Sequence, residues 1–286
     1  MIPEISEFSY GFALTNELVS WSKLYAAPIF PSLIEEGKTG GGYDVKLQFP
    51  GVPLYLQFKR AHCMTRRSAS EISKHKVPLI LPFYRFYLTE SGTSDQHAML
   101  LELDDGANQV FYAAPRFHRI REINAAWNSN AVASQSIFVR PLAIGGLDHK
   151  MHHVAYDDNA TFLCSKPQPV PHLSALDLAH ALQEKLNEEK RPLADTLTDF
   201  VDRANKAVER AIPRIAERAA TAAQKRTYET SLAQLFEPKR VVGSLQQVPS
   251  RAAESLSTER QHLRDLADKA QTVFDAQVFI IQRSET

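Results

Sequence analysis

An aspartate, a glutamine and a lysine in the first quarter of the chain have the side-chain types that phosphodiester hydrolysis requires. They are Asp44, Gln57 and Lys59, and a single residue separates the last two. A carboxylate anchors Mg²⁺ or Mn²⁺, which polarises phosphoryl oxygens and lowers the pKa of a bound water. A nearby lysine orients or deprotonates that water and offsets the charge that develops on the phosphate. If these side chains meet in space, they indicate a metal-dependent hydrolytic site.

Two short segments of alternating apolar and polar residues carry the three side chains. Residues 43–49 and 54–60 have the period of half-buried strands, and the Pro-Gly-Val-Pro sequence between them is a strong turn signal. In an antiparallel hairpin with this loop, Asp44 lies opposite Lys59, and the side chain of Gln57 shares their face. Neighbours across such a pair are roughly 4.5–8 Å apart. The pattern therefore predicts that the three side chains converge on one polar face.

An aspartate on one strand, followed by a Gln-x-Lys triplet on the next, resembles the PD-(D/E)xK superfamily of restriction-endonuclease-like enzymes. Gln57-Phe58-Lys59 is closest to the branch that cuts modified DNA, in which glutamine replaces the second acid. The resemblance covers roughly residues 7–62. Two departures stand out: Tyr43 precedes Asp44 where the family has proline, and Gln57 is a neutral ligand.

The resemblance implies a fold, a cofactor and a set of roles. The fold is an α/β restriction-endonuclease-like mixed sheet flanked by helices. Mg²⁺ or Mn²⁺ would be held by Asp44, Gln57 and an acid from the preceding helix, for which Glu17 is the candidate. Lys59 would complete the catalytic set. The implied activity is DNA endonuclease cleavage, in the setting of bacterial restriction or anti-phage defence.

A local group of basic residues follows the triplet in an otherwise neutral chain. Lys plus Arg and Asp plus Glu both number 33, so a global basic field is absent. Between positions 60 and 76, only Glu71 opposes the cationic side chains, which are Arg60, Arg66, Arg67, Lys74 and Lys76. These residues are predicted to contact nucleic-acid phosphates without reading bases. A solvated surface loop is an equal alternative.

The chain changes composition near its Lys-Pro-Gln-Pro-Val-Pro segment at 166–171. We predict an α/β nuclease-like domain over residues 1–170 and a helical region over 171–286 for self-association or partner binding. The terminal run 278–281 suits either a final strand or a buried helix end. Periodicity predicts helices at 9–26, 117–128, 174–190, 193–236 and 250–274, and further strands at 83–89, 98–104, 109–113 and 136–143.

Bulk properties favour a cytoplasmic protein without a membrane span. The 286 residues include only two cysteines, and no uninterrupted apolar run approaches ~18 residues. The opening Met-Ile-Pro-Glu lacks the pattern of a signal peptide. A non-catalytic alternative stays open: an interaction scaffold with a degenerate nuclease-like domain, dimerising through its C-terminal helices.

Overall fold

The computed structural model describes residues 1–21, 23–30, 45–88, 95–106, 108–148, 150–218 and 251–284. Asp44, the predicted metal ligand, lies outside these ranges. In chain order the elements are α1 (Glu7–Val19), β1 (Leu24–Pro28), β2 (Val52–Phe58), β3 (His62–Met64), α2 (Ser70–Ser73), β4 (Phe83–Leu88), α3 (Gln96–Leu103), β5 (Gln109–Pro115), α4 (Ile120–Asn128), β6 (Ser136–Val139), α5 (Pro141–Ile144), β7 (His152–Tyr156), β8 (Thr161–Leu163), β9 (Gln168–Pro169), α6 (Ala175–Glu188), α7 (Leu193–Arg218), α8 (Arg251–Thr272) and β10 (Gln277–Arg283).

The described strands form two five-stranded sheets in a mixed α/β fold. The first sheet has the order β1-β10-β2-β5-β6, and the second has the order β3-β4-β7-β8-β9. In the first sheet β2 is parallel to β5, whereas the other neighbouring pairs are antiparallel. The α/β class is confirmed, and the first sheet is mixed, as expected.

The strand next to β2 is not the one that the sequence pattern predicts. Residues 45–50 form no strand; instead, the Phe49 N–H donates a 3.1 Å hydrogen bond to Lys46 O in a turn. The antiparallel neighbour of β2 is β10, with Leu54 opposite Phe279. Strand β2 is buried on both faces, so its neighbour must be apolar as well. The run 278–281 meets that need, and the hairpin prediction was wrong.

The first sheet lies between two layers of helices. One face is covered by α1 and α6, whose leucines pack against Leu54, Leu56 and Phe279. The other face, which includes Tyr55 and Ile280, packs against α3, α7 and α8. The apolar stripe predicted for the N-terminal helix supplies the buried face of α1, but that helix ends at Val19 and β1 follows.

Strand β10 ties the C-terminal region to the N-terminal sheet. It lies between β1 and β2, and buried residues of α7 and α8 share one core with residues of β5 and β6. The change of composition near 166–171 therefore does not separate two hydrophobic cores. Residues 171–286 include this strand as well as helices. Within the described ranges, no helix is both long and apolar enough to cross a membrane.

Candidate active site at the end of strand β2

Strand β2 fixes Gln57 and Lys59 at its C-terminal end. Gln57 lies opposite Tyr112 of the parallel neighbour β5, and the Lys59 N–H donates a 2.9 Å hydrogen bond to Ala113 O. Gln57 is 3% exposed and Lys59 is 6% exposed. The backbone ladder thus holds both side chains inside the protein, whereas the predicted hairpin would have left them on a surface.

Two residues from distant parts of the chain meet this pair. Asp275 lies between α8 and β10, and its Oδ2 accepts hydrogen bonds from Gln57 Nε2 at 3.4 Å and from Gln96 Nε2. Gln96 begins α3, and its Oε1 accepts a 3.5 Å hydrogen bond from Lys59 Nζ. We call Gln57, Lys59, Gln96 and Asp275 the lysine cluster. Its hydrogen bonds link the amine to one amide, that amide to the carboxylate, and the carboxylate to the second amide.

Burial disfavours the charged form of Lys59. Desolvation lowers the pKa of its ammonium from the ordinary value, and the negative charges of Glu7 and Asp275 only partly oppose that effect. Nζ of Lys59 lies 5.6 Å from the centroid of the Tyr112 ring, and the face of such a ring attracts a cation. A buried lysine with a lowered pKa can exchange a proton at lower pH than a surface lysine.

A chain of hydrogen bonds fixes the ring beneath Lys59. The Tyr112 hydroxyl lies 2.8 Å from His97 Nδ1, and His97 Nε2 lies 2.8 Å from Gly145 O. Because a carbonyl only accepts, Nε2 donates to Gly145 O, and Nδ1 is left to pair with the hydroxyl. Tyr112 is therefore held in one orientation below the amine.

The free oxygen of Gln57 provides a test of whether this site suits a metal ion. Gln57 Oε1 is buried and accepts no hydrogen bond from the described residues. An amide oxygen beside a carboxylate is a donor set that Mg²⁺ accepts. Within the part of the chain that the structure describes, no three His, Cys, Asp or Glu side chains form a metal-binding group. A metal at this site would thus depend on Gln57, Asp275 and a further oxygen ligand, and Asp44 stays a prediction for that role.

The structure gives Glu17 a different set of contacts. Its Oε2 accepts hydrogen bonds from the backbone N–H groups of Val132 at 2.7 Å and Ala133 at 3.1 Å. Glu17 is thus bound to the backbone between α4 and β6, and it makes no described contact with the lysine cluster. Among the acids of α1, Glu7 is the one whose charge acts on Lys59.

The predicted phosphate-contacting residues lie on the surface. All five side chains are exposed: Arg60, Arg66, Arg67, Lys74 and Lys76. Glu71, the acid that interrupts them in sequence, is buried and pairs with Arg85 Nη1 at 2.5 Å and with His153 Nε2 at 3.1 Å. Burial opposes its ionisation, but hydrogen bonds from His153 and Arg85 outweigh burial and lower its pKa to about 2. Glu71 therefore does not neutralise the exposed cations.

Sequence reasoning missed Asp275 and Gln96, which belong to the lysine cluster, and Glu7, whose charge acts on Lys59. Each comes from a segment far from the Gln-x-Lys triplet, and none has a motif of its own. The one available signal was the position of Asp275, three residues before the apolar run 278–281 of the central strand β10.

We compared the chain with protein-family models, with curated proteins and with solved structures, and found no match.

Proposed function

We propose that this protein is a divalent-metal-dependent nuclease whose active site is the lysine cluster. The observation that carries the proposal is a buried lysine of lowered pKa that is hydrogen-bonded to Gln96, which in turn contacts Asp275. Asp275 also contacts Gln57, whose side-chain oxygen is buried and free. Buried amines are costly, and they are commonly retained where a proton or a developing negative charge must be handled.

The chain's own residues divide the work. Gln57 Oε1, the Asp275 carboxylate and Asp44 would hold Mg²⁺ or Mn²⁺. Such an ion, when bound, polarises the phosphoryl oxygens and lowers the pKa of a bound water. Lys59 in its amine form accepts a proton from the attacking water, and in its ammonium form it donates a hydrogen bond to the phosphate. Gln96 orients Nζ through its 3.5 Å contact.

The substrate is nucleic acid, with DNA as the first expectation. Arg60 directly follows Lys59, and the exposed cations at 66, 67, 74 and 76 come next in the chain. They are suited to contacts with a phosphate backbone that carry no base specificity. Because such contacts release counterions, binding should weaken steeply as salt rises.

The proposal is tested by metal binding and cleavage measured on the same samples. Wild-type protein, Asp275→Asn and a control are titrated with Mn²⁺ in a calorimeter and incubated with supercoiled, linear and single-stranded DNA and with RNA. The control is Asp158→Asn, which changes an exposed aspartate paired with Arg116 at 3.3 Å. We expect wild type and control to bind Mn²⁺ and to cut in Mg²⁺ but not in EDTA, and Asp275→Asn to bind at least about tenfold more weakly.

Two outcomes would count against this proposal. Equal metal binding by Asp275→Asn and wild type would remove Asp275 from the site. A folded wild type that neither binds the ion nor cuts any of the four substrates would favour the non-catalytic scaffold.

A further inference from the structure

An aromatic groove adjoins the lysine cluster. It has a volume of about 340 Å³, and one wall is formed by α1 and the other by the segment that joins α8 to β10. Four phenylalanines line it: Phe8, Phe12, Phe30 and Phe58. Asp275 also lines the groove, so the groove and the lysine cluster share this residue.

Two of these rings are exposed to an unusual degree. Phe8 is 82% exposed and Phe12 is 61% exposed, although both lie on a helix whose other face is fully buried. Phe12 is already stacked on Trp127 of α4, with ring centroids 5.6 Å apart and planes 9° apart. Because Phe8 and Phe12 are four residues apart, they project from the same side of α1. The groove therefore presents flat aromatic faces that the described part of the chain leaves open to solvent.

We propose that this groove binds an unpaired nucleobase, so that the protein acts on single-stranded nucleic acid. The inference rests on the proposed nuclease function, and it names the substrate class. Every base has a flat π-face, and proteins hold single strands by stacking bases on aromatic side chains beside a cationic track for the backbone. A base within a duplex is stacked on its neighbours and cannot enter such a groove without being extruded.

The charges around the groove suit this occupant. Phe58 lines the groove, and the exposed cation Arg60 lies two residues further along the chain. A base seated on Phe58 would thus have its phosphate near the Arg60 guanidinium. The amides of Gln271 and Gln277 on the opposite wall provide polar groups without adding negative charge. Among the described residues that line the groove, Asp275 is the one acid, and it belongs to the proposed metal site.

The test separates base stacking from cleavage. Binding of fluorescein-labelled oligothymidylate, oligouridylate and a duplex of equal length is measured by anisotropy, in EDTA and again with Ca²⁺. The proteins are wild type, Phe8→Ala, Phe12→Ala and the matched control Phe49→Ala, whose ring is 43% exposed and lines a different cavity. We expect single strands to bind more tightly than the duplex, and Phe8→Ala and Phe12→Ala each to weaken single-strand binding roughly tenfold. Phe49→Ala should bind like wild type, and the comparison of the two oligonucleotides distinguishes DNA from RNA.

Each of the other outcomes contradicts either the assignment of the groove or the proposed nuclease function. Equal single-strand binding by all four proteins overturns the groove assignment, and Mg²⁺-dependent cutting by the same samples would then leave the nuclease proposal standing. Binding that depends on Phe8 and Phe12 without any cutting would instead support the groove and contradict the nuclease. If sedimentation shows a wild-type dimer that Phe8→Ala dissociates, while oligonucleotide binding is unchanged, the groove is a self-association surface and this inference is wrong.

Discussion

Lys59 lies where its charge is disfavoured, and that position has a consequence for stability. Its amine contacts an amide oxygen and an aromatic ring, and it makes no described hydrogen bond to a carboxylate. Burial lowers the pKa of the Lys59 ammonium, because the charged form loses its hydration in the folded protein. The charged form of Lys59 therefore opposes folding. Sites that must handle charge commonly lower the stability of the fold that carries them.

Replacing this amine by an apolar chain of similar length should therefore stabilise the protein. Lys59→Met is expected to raise the free energy of unfolding by about 1 kcal/mol at neutral pH, because no charge has to be desolvated. Urea unfolding followed by circular dichroism measures the change. Lys74→Met at an exposed position is the control and should change stability little. A clear loss of stability in Lys59→Met would show that the buried amine makes a net favourable contribution.

Glu71 is predicted to make stability depend on pH in the acid range. Its pKa falls from 4.5 to about 2 on folding, so the unfolded chain binds more protons between these values and stability rises with pH there. Relative to wild type, Glu71→Gln should lose about 2–3 kcal/mol at pH 7, and this difference should shrink below about pH 4.5 and vanish near pH 2. Urea midpoints at several pH values measure it. A difference that is constant across this range would contradict the ion-pair account.

At the scale of elements, periodicity located the helices and strands whose pattern is long or whose boundaries are marked. The predictions for α4, α6, β4 and β5 agree with the structure to within a few residues. The predicted strand 98–104 is instead helix α3, because a short apolar run such as 98–101 suits a buried helix equally well. The hairpin failed for a related reason: alternation in 43–49 indicates one polar face, whereas the position beside β2 is buried on both faces.

The packing of α1 on β2 depends on a glycine. A Cβ at Gly11 would lie 2.6 Å from Cδ2 of Phe58 and 2.8 Å from its Cε2, so the helix could not approach the strand as closely. Gly11→Ala should destabilise the protein by roughly 1–3 kcal/mol, although alanine favours helix formation by itself. Thermal unfolding measures the loss. Gly146→Ala, where nothing lies within 4 Å of the added carbon, is the matched control. Equal melting temperatures would show that Phe58 moves aside freely.

At the scale of the whole molecule, the site is assembled from segments that are distant in sequence. The lysine cluster forms only because β10 returns to lie between β1 and β2. That return brings together positions 57, 59, 96 and 275. The Gln-x-Lys triplet could be recognised from the sequence because its two residues are neighbours on one strand. The carboxylate partner could not, because its contact with Gln57 depends on long-range strand order.

The central position of β10 predicts that its removal prevents folding. Its four apolar residues, 278–281, are each buried, and the strand is paired on both sides. A chain that ends at Ala276 should lose cooperative unfolding, because β1 and β2 would lose their shared neighbour and both cores would be opened. Circular dichroism and urea titration of the truncated chain make the measurement. A cooperative transition like that of the full chain would show that the N-terminal region forms its core alone.

The role of Lys59 is measured by the rate at which Lys59→Met cleaves nucleic acid in Mg²⁺ relative to wild type. The substrate is the one that wild type cuts best, and the variant is first shown to unfold cooperatively. We expect the folded variant to cleave about 10²–10⁴-fold more slowly, because it lacks the amine that accepts a proton from water and stabilises charge on the phosphate. Cleavage at the wild-type rate by the folded variant would rule out Lys59 as a catalytic residue and place any nuclease activity outside the lysine cluster.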